Sequence, residues 1–160
     1  MNDEALRRQV ADLLSSGHAH ATFERAVAAM PLELVDDRPR GFLHSAWDLL
    51  EHLRIAQWDI LGFSRDPEHQ SPEWPGGYWP EEGSTPGDGE WRTSVDLFLA
   101  DRRAMADLVL DASRDLGEPF PWGDGQTLLR EALLLADHNA YHVGQLVELR
   151  RVLGCWPPSA

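Results

Sequence analysis

Two histidines, His138 and His142, stand four residues apart near the end of the chain. In an α-helix this spacing places both imidazoles on one face, about one turn apart, where they can chelate a single metal ion. His52 belongs to another segment and borders an apolar stripe that would face a core. Three imidazoles with an open coordination position form the donor set of catalytic sites for zinc, nickel or iron(II). We therefore consider His52, His138 and His142 a candidate metal site.

A second interpretation of these histidines requires no metal. His138 and His142 share a helical stripe with Leu135 and Leu146, so both occupy positions that packing alone would give to apolar residues. A polar group at such a position must find a partner. Each histidine can then be a core residue that is hydrogen-bonded across a helical bundle. The sequence leaves both interpretations open.

Three neighbours of the candidate site bear on its chemistry. Asp48 stands one turn before His52, where its carboxylate can orient the imidazole, but it also fits the N3 position of a helix capping box. His44 is a further ligand, a substrate contact or a residue without a role. Asn139 occupies the position of the general-base glutamate of an HExxH metalloprotease, so peptide hydrolysis by that route is disfavoured.

Four amphipathic segments can position these residues, and capping residues with glycine or proline stops give their bounds. The sequence shows no useful strand-like alternation. It therefore predicts an all-α, up-and-down-type four-helix bundle in a single domain over residues 1–160. The first helix begins at an N-cap Asn2, ends at Ser15 and resumes from Phe23 to Met30; the second runs from Ser45 to Gly62, the third from Thr93 to Gly117, and the fourth from Thr127 to Leu153.

The connection between the second and third helices, residues 64–90, differs in composition from the rest. It holds five of the eleven prolines and five of the thirteen glycines, which excludes a helix. Its aromatic residues favour an ordered, packed loop, although the alternative is an error in the helix bounds. If the protein is an enzyme, a substrate pocket above the metal should be shaped by Trp74, Tyr78, Trp79 or Trp91.

The composition is that of an ordinary soluble globular protein, with 42% hydrophobic and 26% charged residues. Fourteen basic residues against twenty-seven acidic ones give a net charge of −13, so nucleic acid and anionic membranes are poor partners. The lone Cys155 cannot form an internal disulfide. With no signal-peptide pattern and no apolar run of about eighteen residues, we expect a cytoplasmic protein.

The fourth segment carries a second apolar stripe besides the one that includes the histidines. One face can line the bundle interior while the other contacts a second subunit, which predicts a homodimer. Burial of both faces within one chain is the alternative. The stripe comprises Leu129, Leu133, Ala136, Ala140, Val143 and Val147.

Four stretches combine into a more specific pattern: WDLLEHLR at 47–54, WDIL at 58–61, GDGQTLLRE at 123–131 and DHNAYHVGQL at 137–146. In this order they resemble the DinB-like (DinB/YfiT) metal-binding four-helix bundles, and the likeness covers most of the chain. The resemblance implies a divalent metal, often nickel or zinc, held by His52, His138 and His142. It also implies frequent homodimers. Trp122 stands where close relatives often carry a histidine, so the resemblance supports no accessory role there.

Some members of the family that the chain resembles are thiol-dependent transferases or isomerases that use bacillithiol or mycothiol. Two functions therefore remain as hypotheses. In the first hypothesis, the chain is a metal-dependent enzyme in which the metal activates a small-molecule thiol toward an electrophilic substrate. In the second, it is a non-enzymatic, stress-associated dimer in which a structural ion holds two helices together. An open metal position under the loop would favour the first, and a closed fourth ligand the second.

Overall fold

The computed structural model describes residues 3–16 and 18–158, and the long elements in this part of the chain are α-helices. Two short 3-10 turns, Leu32–Leu34 and Gly76–Tyr78, lie in the connections. The described residues contain no β-strand, which confirms the all-α prediction; the N-cap predicted at Asn2 falls outside them. The helices are α1 (Asp3–Ser15), α2 (Phe23–Val27), α3 (Ala46–Arg65), α4 (Asp88–Leu110) and α5 (Leu128–Val152).

The four long helices form a bundle. α3 packs between α4 and α5, while α1 lies against α4 and makes a smaller contact with α5. Two clusters of buried apolar side chains fill the interior, one around Leu53 and Leu146 and the other around Leu14 and Leu135. Burial of each leucine contributes about 1.5–3 kcal/mol to folding. None of the described helices is long and apolar enough to cross a membrane.

The capping residues predicted for α3 and α5 are confirmed. Ser45 Oγ accepts a hydrogen bond from the backbone N–H of Asp48 at 3.1 Å, and the Asp48 carboxylate accepts one from the Ser45 N–H at 2.8 Å. Thr127 Oγ1 accepts from the Arg130 N–H at 3.1 Å. These bonds satisfy free N–H groups in the first turns of the two helices that carry the histidines.

α3 extends to Arg65, beyond its predicted stop at Gly62. Gly62 lies inside the helix, and the His69 ring packs against it. A Cβ atom at position 62 would lie 2.4 Å from atoms of that ring. The glycine therefore makes room for the following loop and does not end the helix.

The start predicted for the third bundle helix, the capping box at Thr93, is wrong. α4 begins at Asp88, where the Glu90 carboxylate accepts a hydrogen bond from the Gly87 N–H at 2.8 Å. Thr93 lies one turn inside the helix and donates its hydroxyl hydrogen to the Gly89 carbonyl at 2.8 Å. The connection before α4 is shorter than predicted as a result.

The predicted end of this helix at Gly117 is also wrong, because α4 ends at Leu110. The Asp111 carboxylate accepts hydrogen bonds from the N–H and the hydroxyl group of Ser113, at 2.9 and 2.7 Å. This local turn competes with helical hydrogen bonding. Leu116 nevertheless reaches the apolar core from the connection that follows.

The first helix resumes at Phe23 as predicted, but α2 stops before Met30. Ala28 has an extended backbone, and Arg150 of α5 satisfies carbonyl groups at the helix end. Its buried guanidinium donates to the carbonyls of Ala26 and Ala28 at 2.6 and 2.8 Å. A long-range contact thus ends this helix where local sequence would allow another turn.

Candidate metal centre

α3 and α5 bring the three predicted histidines together across the bundle. The Nε2 atoms of His52 and His142 are 3.1 Å apart, and those of His52 and His138 are 3.0 Å apart. One ring nitrogen from each residue lies within 4.8 Å of the other two. His52 and His142 are buried and His138 is half-buried.

Hydrogen bonds at Nδ1 fix the orientation and tautomer of two of these rings. His52 Nδ1 donates to the backbone carbonyl of Tyr78 at 2.8 Å. His142 Nδ1 donates to Gln145 Oε1, three residues further along α5, at 2.7 Å. Because the Nδ1 atoms carry the protons of the neutral rings, the Nε2 atoms of His52 and His142 both present lone pairs.

The donor set fits a divalent transition metal. Two lone pairs that face each other at 3.1 Å repel, and neither has a proton to share, so a hydrogen bond between His52 and His142 does not explain their approach. Nitrogens that share one zinc ion at about 2.0–2.1 Å would lie about 2.8–3.4 Å apart for bond angles between about 90° and 109°. Both Nε2 separations that involve His52 fall in this interval, and the candidate donor atoms of His138 and His142 lie within 4.8 Å of each other.

His138 has a different environment at Nδ1. This atom and Oδ1 of the adjacent Asn139 are both buried and lack a partner of normal hydrogen-bond geometry among the described residues. The Asn139 side chain still raises the pKa of His138 slightly against the stronger effect of burial. Asn139 Nδ2 donates to Gln57 Oε1 at 3.0 Å, and Gln57 in turn donates to the Phe98 carbonyl. Asn139 is thus fixed beside the ligand by a buried amide pair.

The electrostatic environment keeps the three rings neutral. Burial, with repulsion from His142 and His52, lowers the pKa of His138 to about 4. Burial and repulsion from His52 lower that of His142 to about 4, and burial lowers the pKa of His52. Neutral imidazole is the form that binds a metal ion.

The loop over residues 66–87 contacts α3 beside the histidine cluster. Its Tyr78 supplies the carbonyl that orients His52, and the Tyr78 hydroxyl donates to the buried carboxylate of Asp59 at 2.6 Å. His69 Nε2 lies 2.8 Å from the other oxygen of Asp59. Asp59 therefore holds the loop at two points, Tyr78 and His69.

Trp79 covers the histidine cluster. Its ring stacks on His52 at a centroid distance of 4.0 Å, with an angle of 6° between the planes. On its other face it stacks on His44 at 3.9 Å and 11°. His44 is therefore separated from His52 by the indole and does not belong to the ligand group of the three other histidines.

Asp48 does not orient His52. Its carboxylate caps α3 and forms an ion pair with Arg38 at 2.9 Å, while the Tyr78 carbonyl takes the orienting role. Trp122 also stands apart from the ligands, since its indole N–H donates to the Phe63 carbonyl at 2.8 Å.

The loop aromatics contribute unequally to the pocket predicted above the metal. Trp79 lines a cavity of about 450 Å³ together with His44, Tyr141 and His142. Of the other predicted aromatics, Trp74 is exposed and Trp91 is buried in the apolar core. The cavity thus borders His142, one of the three candidate ligands, on the side where Trp79 stacks on His44.

The orienting roles of Tyr78 and Gln145 were not predicted from the sequence. Gln145 lies three positions after His142, a spacing that places both side chains on the same helix face, so this contact has a detectable sequence signal. The link between Asp59 and Tyr78 has none, because it depends on the path of a long loop. Tyr78 in addition orients His52 through a backbone carbonyl, which any residue type offers.

Comparison with known proteins identifies the family of the chain. The family model for the DinB superfamily matches residues 17–146, a region that includes all three histidines. No curated protein and no solved structure gives a match. The match covers well over half of the chain and includes α3 and most of α5, the two helices of the histidine cluster. The chain therefore belongs to the DinB superfamily.

Proposed function

We propose that this protein binds one divalent ion, nickel or zinc, through His52, His138 and His142 and acts as a metal-dependent thiol transferase. The observation that carries the proposal is the convergence of three imidazole nitrogens beside a cavity that His142 helps to line. Among the described residues, no fourth histidine, cysteine or carboxylate joins this group. A coordination position is therefore free for a substrate atom.

A divalent ion at this site would lower the pKa of a thiol from its reference value of about 8.5. The thiol loses its proton to solvent, its sulfur forms a bond to an electrophilic carbon, and the leaving group departs with the bonding electron pair. Tyr78 and Gln145 hold the imidazoles in place, and Trp79 shields them from water. Because Asn139 replaces the glutamate base, thiol transfer fits this chain better than hydrolysis.

A structural ion in a non-enzymatic protein is the alternative. Its support is the burial of His52 on α3 and His142 on α5, since an ion shared by them would hold the two helices together. The exposed stretch of the second α5 stripe, which includes Leu133, supports a homodimer under either function. We also propose a cytoplasmic location, which the single Cys155 supports because disulfides are rare in that compartment.

Cobalt substitution tests the proposed thiol chemistry. The cobalt-loaded protein is titrated with bacillithiol, mycothiol and simple thiols while near-ultraviolet absorption is recorded. Thiol transfer predicts a new charge-transfer band with at least one of these thiols. An unchanged spectrum with all of them would favour the structural ion.

A further inference from the structure

The cavity beside His142 has an uncharged, largely aromatic wall. Phe42, Trp79 and Tyr141 contribute rings, and Leu43 and Leu49 contribute aliphatic side chains. Its volume of about 450 Å³ lies in the range of small-molecule sites, which run from about 300 to 1,000 Å³. Leu43 and Tyr141 are 85% and 64% exposed, so the cavity opens to solvent at these two side chains.

No aspartate, glutamate, lysine or arginine is among the described residues that line this cavity. The titratable groups among the described lining residues are His44, Tyr141 and the candidate metal ligand His142. Arg38 lies in the same connection before α3 as the lining residue Leu43, but it pairs with Asp36 and Asp48. The side chain of Arg40 does not line the cavity. A carboxylate placed here would lose hydration without gaining an ion pair.

The charge of the whole chain acts in the same direction. The net charge of −13 repels an approaching anion wherever arginine side chains do not offset the negative charge of the surface. The aromatic wall, by contrast, favours a flat apolar group through burial and ring contacts. Both effects select against an anionic ligand and for a neutral one.

We propose that the thiol substrate of this site is uncharged and carries an apolar, preferably aromatic, group that occupies the cavity between Trp79 and Tyr141. The inference rests on the proposed thiol transfer and adds the class of thiol. Thiols that carry carboxylates bind more weakly because the proposed ion is taken by the sulfur and no lysine or arginine lines the cavity to pair with a carboxylate. The expected preference is about tenfold or more in dissociation constant for two thiols of the same shape.

Two thiols that differ by one carboxylate test this preference. The cobalt-loaded protein is titrated with phenylmethanethiol and with 4-(sulfanylmethyl)benzoate, and the charge-transfer absorption gives each dissociation constant. Since the thiol group is the same, the attraction between ion and sulfur is nearly equal in both. At least about tenfold tighter binding of phenylmethanethiol supports the inference, and equal or tighter binding of the benzoate overturns it. A spectrum that neither thiol changes contradicts the proposed thiol transfer itself.

A substitution at the cavity mouth separates local from overall charge. Leu43→Arg adds a cation at an exposed lining position, and Val152→Arg adds the same charge at an exposed position that does not line the cavity. Leu43→Arg should strengthen benzoate binding several-fold and reduce the preference, while Val152→Arg should keep it. Equal effects of the two variants would overturn the assignment of the cavity as the thiol site.

Discussion

At the level of single residues, two of the three candidate ligands are oriented by groups that accept a hydrogen bond from their Nδ1 atoms. Tyr78 and Gln145 accept from the Nδ1 atoms of His52 and His142, and the two Nε2 lone pairs therefore point toward each other. Contacts of this kind fix ring orientation and increase ligand basicity. A cation bound between these lone pairs, as proposed, would offset the energetic cost of placing them together.

Gln145→Ala tests the importance of this preparation. Loss of the amide leaves His142 Nδ1 without its acceptor and should weaken metal affinity about 10- to 100-fold. Gln145→Glu should restore most of the affinity because a carboxylate also accepts the hydrogen bond. Competition with a chromophoric chelator measures each constant. Gln70→Ala, at an exposed position, is the matched control, and equal affinities of the two alanine variants would contradict the role of Gln145.

At the scale of elements, the loop over residues 66–87 joins the stability of the fold to the geometry of the site. Asp59 is only 8% exposed and is held by both Tyr78 and His69. Burial and the contact with Asp59 raise the pKa of Tyr78 to about 12, so its hydroxyl remains a donor at neutral pH. The same residue presents its carbonyl to His52, and displacement of the loop would release that ligand.

Tyr78→Phe should destabilise the protein by about 1–3 kcal/mol, because the buried Asp59 carboxylate loses a hydrogen-bond donor. The loop should also become more susceptible to limited proteolysis. Urea unfolding followed by circular dichroism measures the change. Tyr141→Phe removes a hydroxyl group that makes no hydrogen bond within the described residues, and it should stay within about 0.5 kcal/mol of the parent. Equal stabilities of the two variants would refute the anchoring role of Tyr78.

The elements also show which features a sequence can predict. The three histidines are recognisable because each occupies a helical position that faces the core, and the Ser45 capping box marks the start of α3. The start of α4 is not recognisable from the sequence, because its N-cap Gly87 has no capping side chain and a competing motif begins at Thr93. The end of α2 depends on Arg150, which is distant in sequence and acts only after the bundle has formed.

At the scale of the whole molecule, an ion shared by α3 and α5 should stabilise the folded chain. At a free metal concentration 100 times the dissociation constant, the gain is about 2.7 kcal/mol, which corresponds to a rise of about 5–10 °C in Tm. Thermal unfolding with nickel or zinc and with a chelator measures the effect. The His138→Ala variant should unfold at the same temperature under both conditions. A metal-dependent rise of equal size in that variant would argue for binding elsewhere.

The proposed homodimer uses the exposed stretch of the second α5 stripe. Val143 and Val147 are buried within the chain, whereas Leu133 is 45% exposed and Ala136 and Ala140 are half-buried. We therefore expect light scattering to give about twice the chain mass of 18.0 kDa. Leu133→Glu should shift the protein toward the monomer, and Leu97→Glu, at a comparably exposed site on α4, should not. A monomeric parent at micromolar concentrations would exclude this interface.

We propose that His52, His138 and His142 hold one divalent transition-metal ion. Metal analysis of protein purified without a histidine tag and dialysed against nickel or zinc tests this assignment. We expect one ion per chain in the parent and in His44→Ala, and almost none in His138→Ala, which should retain its helical circular dichroism. A full equivalent of metal in folded His138→Ala would contradict the assignment.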